Sequence, residues 1–139
     1  MRVFVYGTLT DPDRAAAVLD EWRFVGAAEL VGLHRVDGEY PTLAPGGGVE
    51  GRLLETDEVD RLDAYEGVAS GLYVRVEVPL RDDRDGSADE ADTVAVYVGD
   101  PDRLGASASW PGAGGFEERV ETYLDGNDVV IRPVSRRRE

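Results

Sequence analysis

The residue that points most clearly to chemistry is Glu66. Residues 57–66 predict a short helix, and at about 100° per residue Val59, Leu62 and Glu66 fall on one of its faces. Because Val59 and Leu62 are apolar, this face is expected to pack against the core, and the Glu66 carboxylate would lie on the same face. It also precedes Gly67, which predicts the end of the helix, and the helix dipole disfavours negative charge there. Burial and the dipole both raise the pKa of a carboxyl group, which suits a general acid or base near neutral pH.

The same periodicity allows structural roles for Glu66. Its side chain could extend into solvent or pair with an arginine such as Arg75. A glycosidase pair with Asp63 is a further alternative, but the two carboxylates of such enzymes flank the sugar and commonly come from separate elements. We therefore expect Asp63 to face solvent or to cap a neighbouring turn.

The second candidate feature is the loop Tyr6-Gly7-Thr8-Leu9, which follows a predicted first strand. A strand that ends in glycine and turns toward a helix start can point successive backbone N–H groups at an anion. Gly7 would let a ligand approach the backbone closely, and a substrate carboxylate would fit such a nest. The pattern is also that of an ordinary strand-to-helix turn. It is too short for a dinucleotide fingerprint and lacks the lysine of a phosphate-binding P-loop.

The composition removes several other kinds of catalytic site. The 139-residue chain has no cysteine and one histidine, His34. Disulfides, cysteine nucleophiles and metal sites built from several histidines of one chain are therefore excluded. No serine lies in the sequence context of a nucleophile elbow. We expect His34 to be a structural or surface residue.

The charge balance bears on partners and location. The 15 basic residues are all arginine, and 29 acidic residues give a formal net charge of −14. Such a surface would repel phosphate backbones and anionic lipids, so we expect neither a nucleic-acid nor a membrane partner. An acidic surplus without lysine is typical of a halophilic-type surface, although a GC-rich genome also favours arginine codons. No apolar run approaches the roughly 18 residues that span a bilayer, and we find no signal peptide, so we expect a cytoplasmic protein.

Strands dominate the predicted secondary structure. They are predicted at residues 2–6, 23–36 (one bent strand or two short ones), 49–55, 72–80, 93–98 and 129–131. Helices are predicted at residues 12–19, 57–66 and 116–124, and loops at 38–48, 81–91 and 105–115. The pattern favours an α+β fold, a small mixed, mostly antiparallel β-barrel with two or three short helices. Residues 1–134 would form a single domain, and residues 135–139 a short basic tail.

Five short segments have the order and spacing of a known family. They are Phe4-Val5-Tyr6-Gly7-Thr8-Leu9, Tyr40-Pro41-Thr42-Leu43, Val49-Glu50-Gly51-Arg52-Leu53-Leu54, Leu62-Asp63-Ala64-Tyr65-Glu66-Gly67 and Leu72-Tyr73-Val74-Arg75. Over about residues 3–98 the chain resembles the gamma-glutamylcyclotransferase-like proteins, whereas residues 99–139 match only loosely. The Thr8-Leu9 form is similar to the gamma-glutamylamine cyclotransferase and avirulence-induced-gene-like branch.

The resemblance implies a small β-barrel enzyme that needs no metal or other cofactor. Its small-molecule substrate would be a gamma-glutamyl amine or peptide, whose α-amine attacks the γ-carbonyl to form 5-oxoproline and release an amine. Glu66 would be the general acid and base, and the backbone of Tyr6-Gly7-Thr8-Leu9 would hold the α-carboxylate. Tyr73 is a further candidate for substrate binding. Any of Tyr40, Tyr73 and Tyr97 could donate a hydrogen bond to the oxyanion, and the sequence does not choose among them.

Two other functions remain open on the sequence. The chain could be a non-catalytic small-molecule-binding domain of the same fold, or a hydrolase in which Glu66 activates water and free glutamate is released. The sequence does not identify the leaving amine, whose recognition we expect from the loops at 38–48 and 99–115. We expect a monomer or a weak homodimer.

Overall fold

Six strands form one sheet in the computed structural model, which describes residues 2–81 and 93–134. The strands are β1 (Arg2–Val5), β2 (Arg23–Val36), β3 (Thr42–Glu55), β4 (Tyr73–Pro79), β5 (Thr93–Gly99) and β6 (Val130–Pro133). They lie in the order β4-β5-β1-β3-β2-β6. β1 and β5 run parallel, and the other neighbouring pairs are antiparallel. The sheet is therefore mixed and mostly antiparallel, as the sequence predicts.

The sheet curls into a half-barrel, so that its two outermost strands approach each other. Leu80, directly after β4, forms a parallel bridge with Ile131 of β6. The N–H of Arg81 also donates to Ile131 O at 2.8 Å. The long pair β2 and β3 bends because its register shifts twice, between Phe24 and Gly26 and again between residues 31 and 33. The region at 23–36 is thus one bent strand.

Within the described ranges, four α-helices accompany the sheet: α1 (Pro12–Val18), α2 (Val59–Glu66), α3 (Pro101–Leu104) and α4 (Phe116–Gly126). A short 3-10 turn at Thr8–Thr10 precedes α1. The sequence does not predict α3, because four residues are too few to show a helical period, so the described residues contain four helices where two or three were expected. None of the described helices is long and apolar enough to cross a lipid bilayer.

The predicted loop at residues 38–48 is wrong over most of its length. Residues 42–48 belong to β3 and pair with the second half of β2, with Thr42 opposite Val36. Gly46 and Gly47 have φ angles of 100° and 72°, which are unusual in a strand. A glycine run has low strand propensity, so local pattern alone favours a loop here. The predicted loop at 81–91, apart from Arg81, and the predicted tail at 135–139 lie outside the described residues.

The residues from Val3 to Tyr6 alternate between two hydrophobic clusters, so this central segment is buried on both faces. Phe4 and Tyr6 belong to a cluster that draws on all six strands and on α4. Val3 and Val5 belong to a second cluster, which includes Leu62 of α2. Through Leu62, the second cluster packs α2 against the sheet. This packing places the end of the helix near β1.

Gly51 lets β3 lie close to β1 at the point where β1 leads into the loop at residues 6–9. A Cβ built on Gly51 would overlap the carbonyl oxygen of Val5 and would lie 2.9 Å from Phe4 Cζ. Val5 is the last residue of β1 and pairs with Arg52. A side chain at position 51 would therefore push the end of β1, and the loop after it, away from β3.

We expect Gly51→Ala to lower the free energy of unfolding by about 2 kcal/mol, because the new methyl group meets backbone and a buried ring that cannot move aside freely. Gly26→Ala in β2 is the matched control, since a Cβ there meets nothing within 4 Å, and it should change stability by less than about 0.5 kcal/mol. Urea unfolding of both variants measures the difference. Equal stability of the two variants would contradict this account of the β1–β3 contact.

Candidate active site

Glu66 is the last residue of α2, and the local sequence explains why the helix ends there. Gly67 adopts a left-handed backbone with φ 74° and ψ 36°, which glycine reaches without strain. The N–H of Val68 then donates to Asp63 O at 3.0 Å and closes the last turn. Leu62, which is fully buried, holds this turn against the sheet. The carboxylate is thereby fixed at the C-terminal end of a packed helix.

A cavity of about 40 Å³ lies between the end of β1 and the end of α2. Its walls are formed by Phe4, Val5, Tyr6, Gly7, Leu9, Pro41, Glu66, Tyr73 and Tyr97. Most of the site residues predicted from the sequence meet here: Tyr6, Gly7, Leu9, Glu66 and Tyr73. Thr8 connects Gly7 to Leu9 at the start of the 3-10 turn. The geometry brings these residues together, while their binding and catalytic roles stay predictions.

Glu66 has the electrostatic character of a proton-transfer group. Its carboxylate is half-buried, and burial raises its pKa from 4.5 to about 7 because the charged form is penalised away from water. Near neutral pH such a group is present in both protonation states. Arg75, the partner that the sequence offered as an alternative, binds a different carboxylate, with Nη1 3.3 Å from Asp63 Oδ2.

Asp63 does not face solvent or cap a neighbouring turn, as the sequence led us to expect. Its Oδ1 accepts a hydrogen bond from the Tyr97 hydroxyl at 2.7 Å, and its Oδ2 pairs with Arg75. Both partners lie on the sheet, Arg75 on β4 and Tyr97 on β5, so Asp63 ties the last turn of α2 to these two strands. Because both of its oxygens are engaged, Asp63 is a positioning residue and not a partner for Glu66 in a two-carboxylate mechanism.

Three tyrosines that line the cavity all donate their hydroxyl hydrogens to the protein. Tyr6 donates to Tyr97 O at 2.6 Å, Tyr73 donates to Pro41 O at 2.6 Å, and Tyr97 donates to Asp63. Burial, first of all, raises the pKa of each, with a smaller contribution from the charge of Glu66. These neutral phenols therefore offer lone pairs to a ligand and keep their hydrogens for the protein.

This arrangement argues against the expectation that Tyr73 or Tyr97 donates to an oxyanion, because the hydrogen of each hydroxyl already has an acceptor. Tyr40, the third tyrosine considered, is 53% exposed and does not line the cavity. Donors for a developing oxyanion would instead come from backbone N–H groups of the loop at residues 6–9.

Two contacts near this loop were not foreseen from the sequence. Arg35 Nη1 donates to Tyr6 O at 3.2 Å, directly before Gly7. Thr42, which is fully buried, exchanges two hydrogen bonds of 2.8 Å with the backbone of Gly99 and so holds the neighbouring Pro41 in the cavity wall. The only sequence signal for the second contact is the Tyr40-Pro41-Thr42-Leu43 segment of the resemblance, and we find none for the first.

No group of three or more possible metal ligands of the His, Cys, Asp or Glu type occurs in residues 2–81 and 93–134. His34 lies on the exposed surface of the β2–β3 hairpin, with Nδ1 3.0 Å from Gly46 O, and is not part of the cavity wall. The polar groups that line the cavity are the Glu66 carboxylate, the hydroxyl groups of three tyrosines and the backbone of the loop at residues 6–9.

The raised pKa of Glu66 makes the stability of the fold depend on pH. In the unfolded chain this carboxyl has a pKa near 4.5, so between pH 4.5 and about 7 the folded state binds more protons than the unfolded state. The stability that Glu66 contributes is fully present below about pH 4.5. It is lost as the pH rises through about 7, by up to about 3 kcal/mol. Glu66→Gln, which cannot ionise, should therefore be more stable than wild type at pH 8 and nearly equal at pH 5.

Urea unfolding of wild type and Glu66→Gln at these two pH values measures the effect. Asp60→Asn is the matched control, because Asp60 is an exposed carboxylate in the first turn of the same helix. The control should track wild type at both pH values. If Glu66→Gln also tracks wild type, the carboxylate is not penalised in the folded state.

Comparison with other proteins identifies the family. A match to the family described as gamma-glutamyl cyclotransferase, AIG2-like, covers residues 3–112. AIG2-like protein A of Arabidopsis thaliana is 35% identical over an alignment of 112 residues, which covers 74% of this chain and 66% of that protein. The chain thus spans just under two thirds of the length of that relative.

Solved structures share the fold. A solution structure from Arabidopsis thaliana is 33% identical with a TM-score of 0.55, and the match covers 90% of this chain and 83% of that one. A gamma-glutamyl cyclotransferase is 17% identical with a TM-score of 0.55, over 91% of this chain and 99% of that one, a likeness of fold alone. The resemblance read from the five sequence segments is confirmed: the chain belongs to the gamma-glutamyl cyclotransferase, AIG2-like family.

Proposed function

We propose that the protein is a gamma-glutamyl cyclotransferase that converts a gamma-glutamyl amine or peptide to 5-oxoproline and a free amine. The observation that carries the proposal is a carboxylate with a pKa of about 7 in the wall of a cavity that the loop at residues 6–9 also lines. Membership of the family supports the same reaction.

The proposed reaction is an intramolecular acyl transfer. The Glu66 carboxylate takes a proton from the substrate's α-ammonium group, and the freed amine attacks the γ-carbonyl carbon to form the ring C–N bond. The bond to the leaving nitrogen then breaks as the proton held by Glu66 passes to that nitrogen. The ring nitrogen still carries one proton more than the lactam, and the regenerated Glu66 carboxylate removes it and passes it to the released amine, which leaves as an ammonium ion. A pKa near 7 suits both steps, because the group must accept a proton and release it within one turnover. No water is consumed, so atoms and charges balance within the substrate and one carboxyl group.

The protein has little to contribute beyond positioning, because nucleophile and electrophile belong to the same molecule. The backbone at Tyr6-Gly7-Thr8-Leu9 would bind the α-carboxylate or the developing oxyanion. The phenol oxygens of Tyr6, Tyr73 and Tyr97 can accept hydrogen bonds, which suits the α-ammonium group of the substrate. Tyr73 thus keeps its proposed place in substrate binding, as an acceptor.

We expect Glu66→Gln to lower the rate of 5-oxoproline formation by about 100-fold to 10,000-fold, because the amide cannot carry the proton. The assay is an incubation with a panel of gamma-glutamyl amines and peptides at low and high salt, with the product measured by mass spectrometry. Asp60→Asn should retain wild-type turnover. Undiminished turnover by Glu66→Gln would reject the proposed role of this residue.

The same assay separates the other functions considered. A hydrolase that uses Glu66 and water would release free glutamate in place of 5-oxoproline. A non-catalytic binding domain would form neither product, and addition of 5-oxoproline would still raise the melting temperature. The best substrate of the panel would identify the leaving amine, which the sequence leaves open.

The pH profile provides an independent test. As a base, Glu66 must be ionised, so kcat/KM should rise with pH and level off above about pH 7, where the carboxylate predominates. Stopped-time assays between pH 5 and 8.5 with one good substrate measure the profile. A plateau that already begins near pH 5 would mean that the base has an ordinary carboxyl pKa and is not Glu66 in the environment described.

A further inference from the structure

Arg35 stands next to the loop that would hold the substrate. It lies near the end of β2, paired across to Leu43 of β3, two residues beyond the cavity residue Pro41. Its Nη1 donates to Tyr6 O at 3.2 Å, and the next residue, Gly7, lines the cavity. The guanidinium group therefore lies against the backbone at which an anion would bind.

The charge of Arg35 acts on Tyr6, a residue of the cavity wall. Burial dominates the pKa of Tyr6 and raises it, while Arg35 acts in the opposite direction by favouring the charged form of the phenol. Tyr6 and Glu66 line the same cavity. A positive charge at this end would offset the negative charge that a substrate carboxylate brings close to Glu66.

Arg35 retains donors for a ligand. A guanidinium group has five N–H donors, and in the described part of the chain one goes to Tyr6 O and one, from Nε, goes to Asp37 Oδ1 at 3.2 Å. The Asp37 side chain is 86% exposed and that of Arg35 is 47% exposed. An ion pair this exposed contributes little to stability, so Arg35 can turn from Asp37 to a bound carboxylate without loss. Its planar fork matches the two oxygens of a carboxylate.

A second arginine with a similar contact lies elsewhere. Arg52 Nη1 donates to Thr10 O at 3.1 Å, at the far end of the 3-10 turn. Its guanidinium carbon lies 4.1 Å from the centre of the Phe24 ring, and Arg52 lines a separate surface groove with that residue. Arg52 therefore supports the same turn from β3, where it pairs with Val5, and does not line the cavity.

We propose that Arg35 pairs with the α-carboxylate of the substrate at the Tyr6-Gly7 backbone and so selects gamma-glutamyl compounds whose α-carboxylate is free. This inference rests on the proposed function, since it assigns one group of that substrate to one side chain. With the carboxylate bound by Arg35, backbone N–H groups of the loop are left for the oxyanion that forms at the γ-carbonyl.

The test compares two substrates that differ only at the α-position. One is a gamma-glutamyl amide with a free α-carboxylate, and the other is the same compound with an α-carboxamide, which is neutral. Arg35→Gln should lower kcat/KM for the first substrate by about 10-fold to 100-fold, mainly through a higher KM. For the carboxamide, the change should stay within about 3-fold. Arg35→Lys keeps the charge but loses the planar guanidinium group, so its kcat/KM for the first substrate should lie between those of wild type and Arg35→Gln.

Arg52→Gln is the matched control, because it removes an arginine that also donates to a carbonyl of the turn. It should leave the preference for the free carboxylate as in wild type. Equal losses by Arg35→Gln on both substrates would show that Arg35 only supports the loop, and no loss on either would show that it has no role. Both results overturn the inference while leaving 5-oxoproline formation by wild type, and hence the proposed function, intact.

Binding of the product tests Arg35 without catalysis. Calorimetry with 5-oxoproline and with 2-pyrrolidinone, the same ring without the carboxylate, separates the carboxylate contribution. Arg35→Gln should weaken 5-oxoproline binding by about 10-fold and leave 2-pyrrolidinone binding unchanged. If wild type binds 5-oxoproline no better than 2-pyrrolidinone, the carboxylate subsite is absent. Should wild type form no 5-oxoproline, the proposed function fails, and this measurement still decides whether Arg35 recognises a carboxylate.

Discussion

Burial of the Glu66 carboxylate at the C-terminal end of α2 is the constraint on which the candidate site depends. Removal from water disfavours the charged form and raises the pKa of Glu66. The turn that holds this residue therefore needs contacts that outweigh its tendency to open toward solvent. Leu62 supplies apolar packing inside the second hydrophobic cluster, and Gly67 lets the chain leave the helix at once. A group that lowers stability above neutral pH is kept in place by its neighbours.

Two of the three carboxylates of α2, Asp63 and Glu66, differ in what surrounds them and therefore in what they can do. Asp63 faces β4 and β5, where it is satisfied by the Tyr97 hydroxyl and by the Arg75 guanidinium. Glu66, three residues later, enters the cavity and has its pKa raised to about 7. A carboxylate whose oxygens are both bonded to neighbouring side chains supports the structure, whereas one held in a cavity wall with a raised pKa is a candidate for proton transfer. Loss of Asp63 would release Tyr97 and Arg75 together, and the effect would reach Glu66 through the helix.

Much of this site follows from local sequence, and the rest depends on contacts between distant residues. The periodicity of 57–66, the helix stop at Gly67 and the buried alternation of Val74, Val76 and Val78 are visible because each depends on neighbours along the chain. Tyr97, one of the two partners of Asp63, lies 34 residues away from it, and Arg35 and Tyr6 are 29 residues apart. Such contacts arise only when the sheet curls. The strand at 42–48 escapes prediction for a different reason. Its glycines have low strand propensity, and its pairing with β2 depends on tertiary contacts.

The hydrogen bonds around the cavity restrict what each group can do for a substrate. Tyr6, Tyr73 and Tyr97 have given their hydroxyl hydrogens to the protein and can serve only as acceptors. A gamma-glutamyl group has one cationic centre and two that need donors, the α-carboxylate and the γ-carbonyl oxygen. In the proposed reaction, the ammonium group would contact the phenol oxygens and Glu66. The two remaining centres would then compete for the backbone at residues 6–9, unless a second donor lies beside it. Arg35, which donates to Tyr6 O, is the residue that we propose as this second donor.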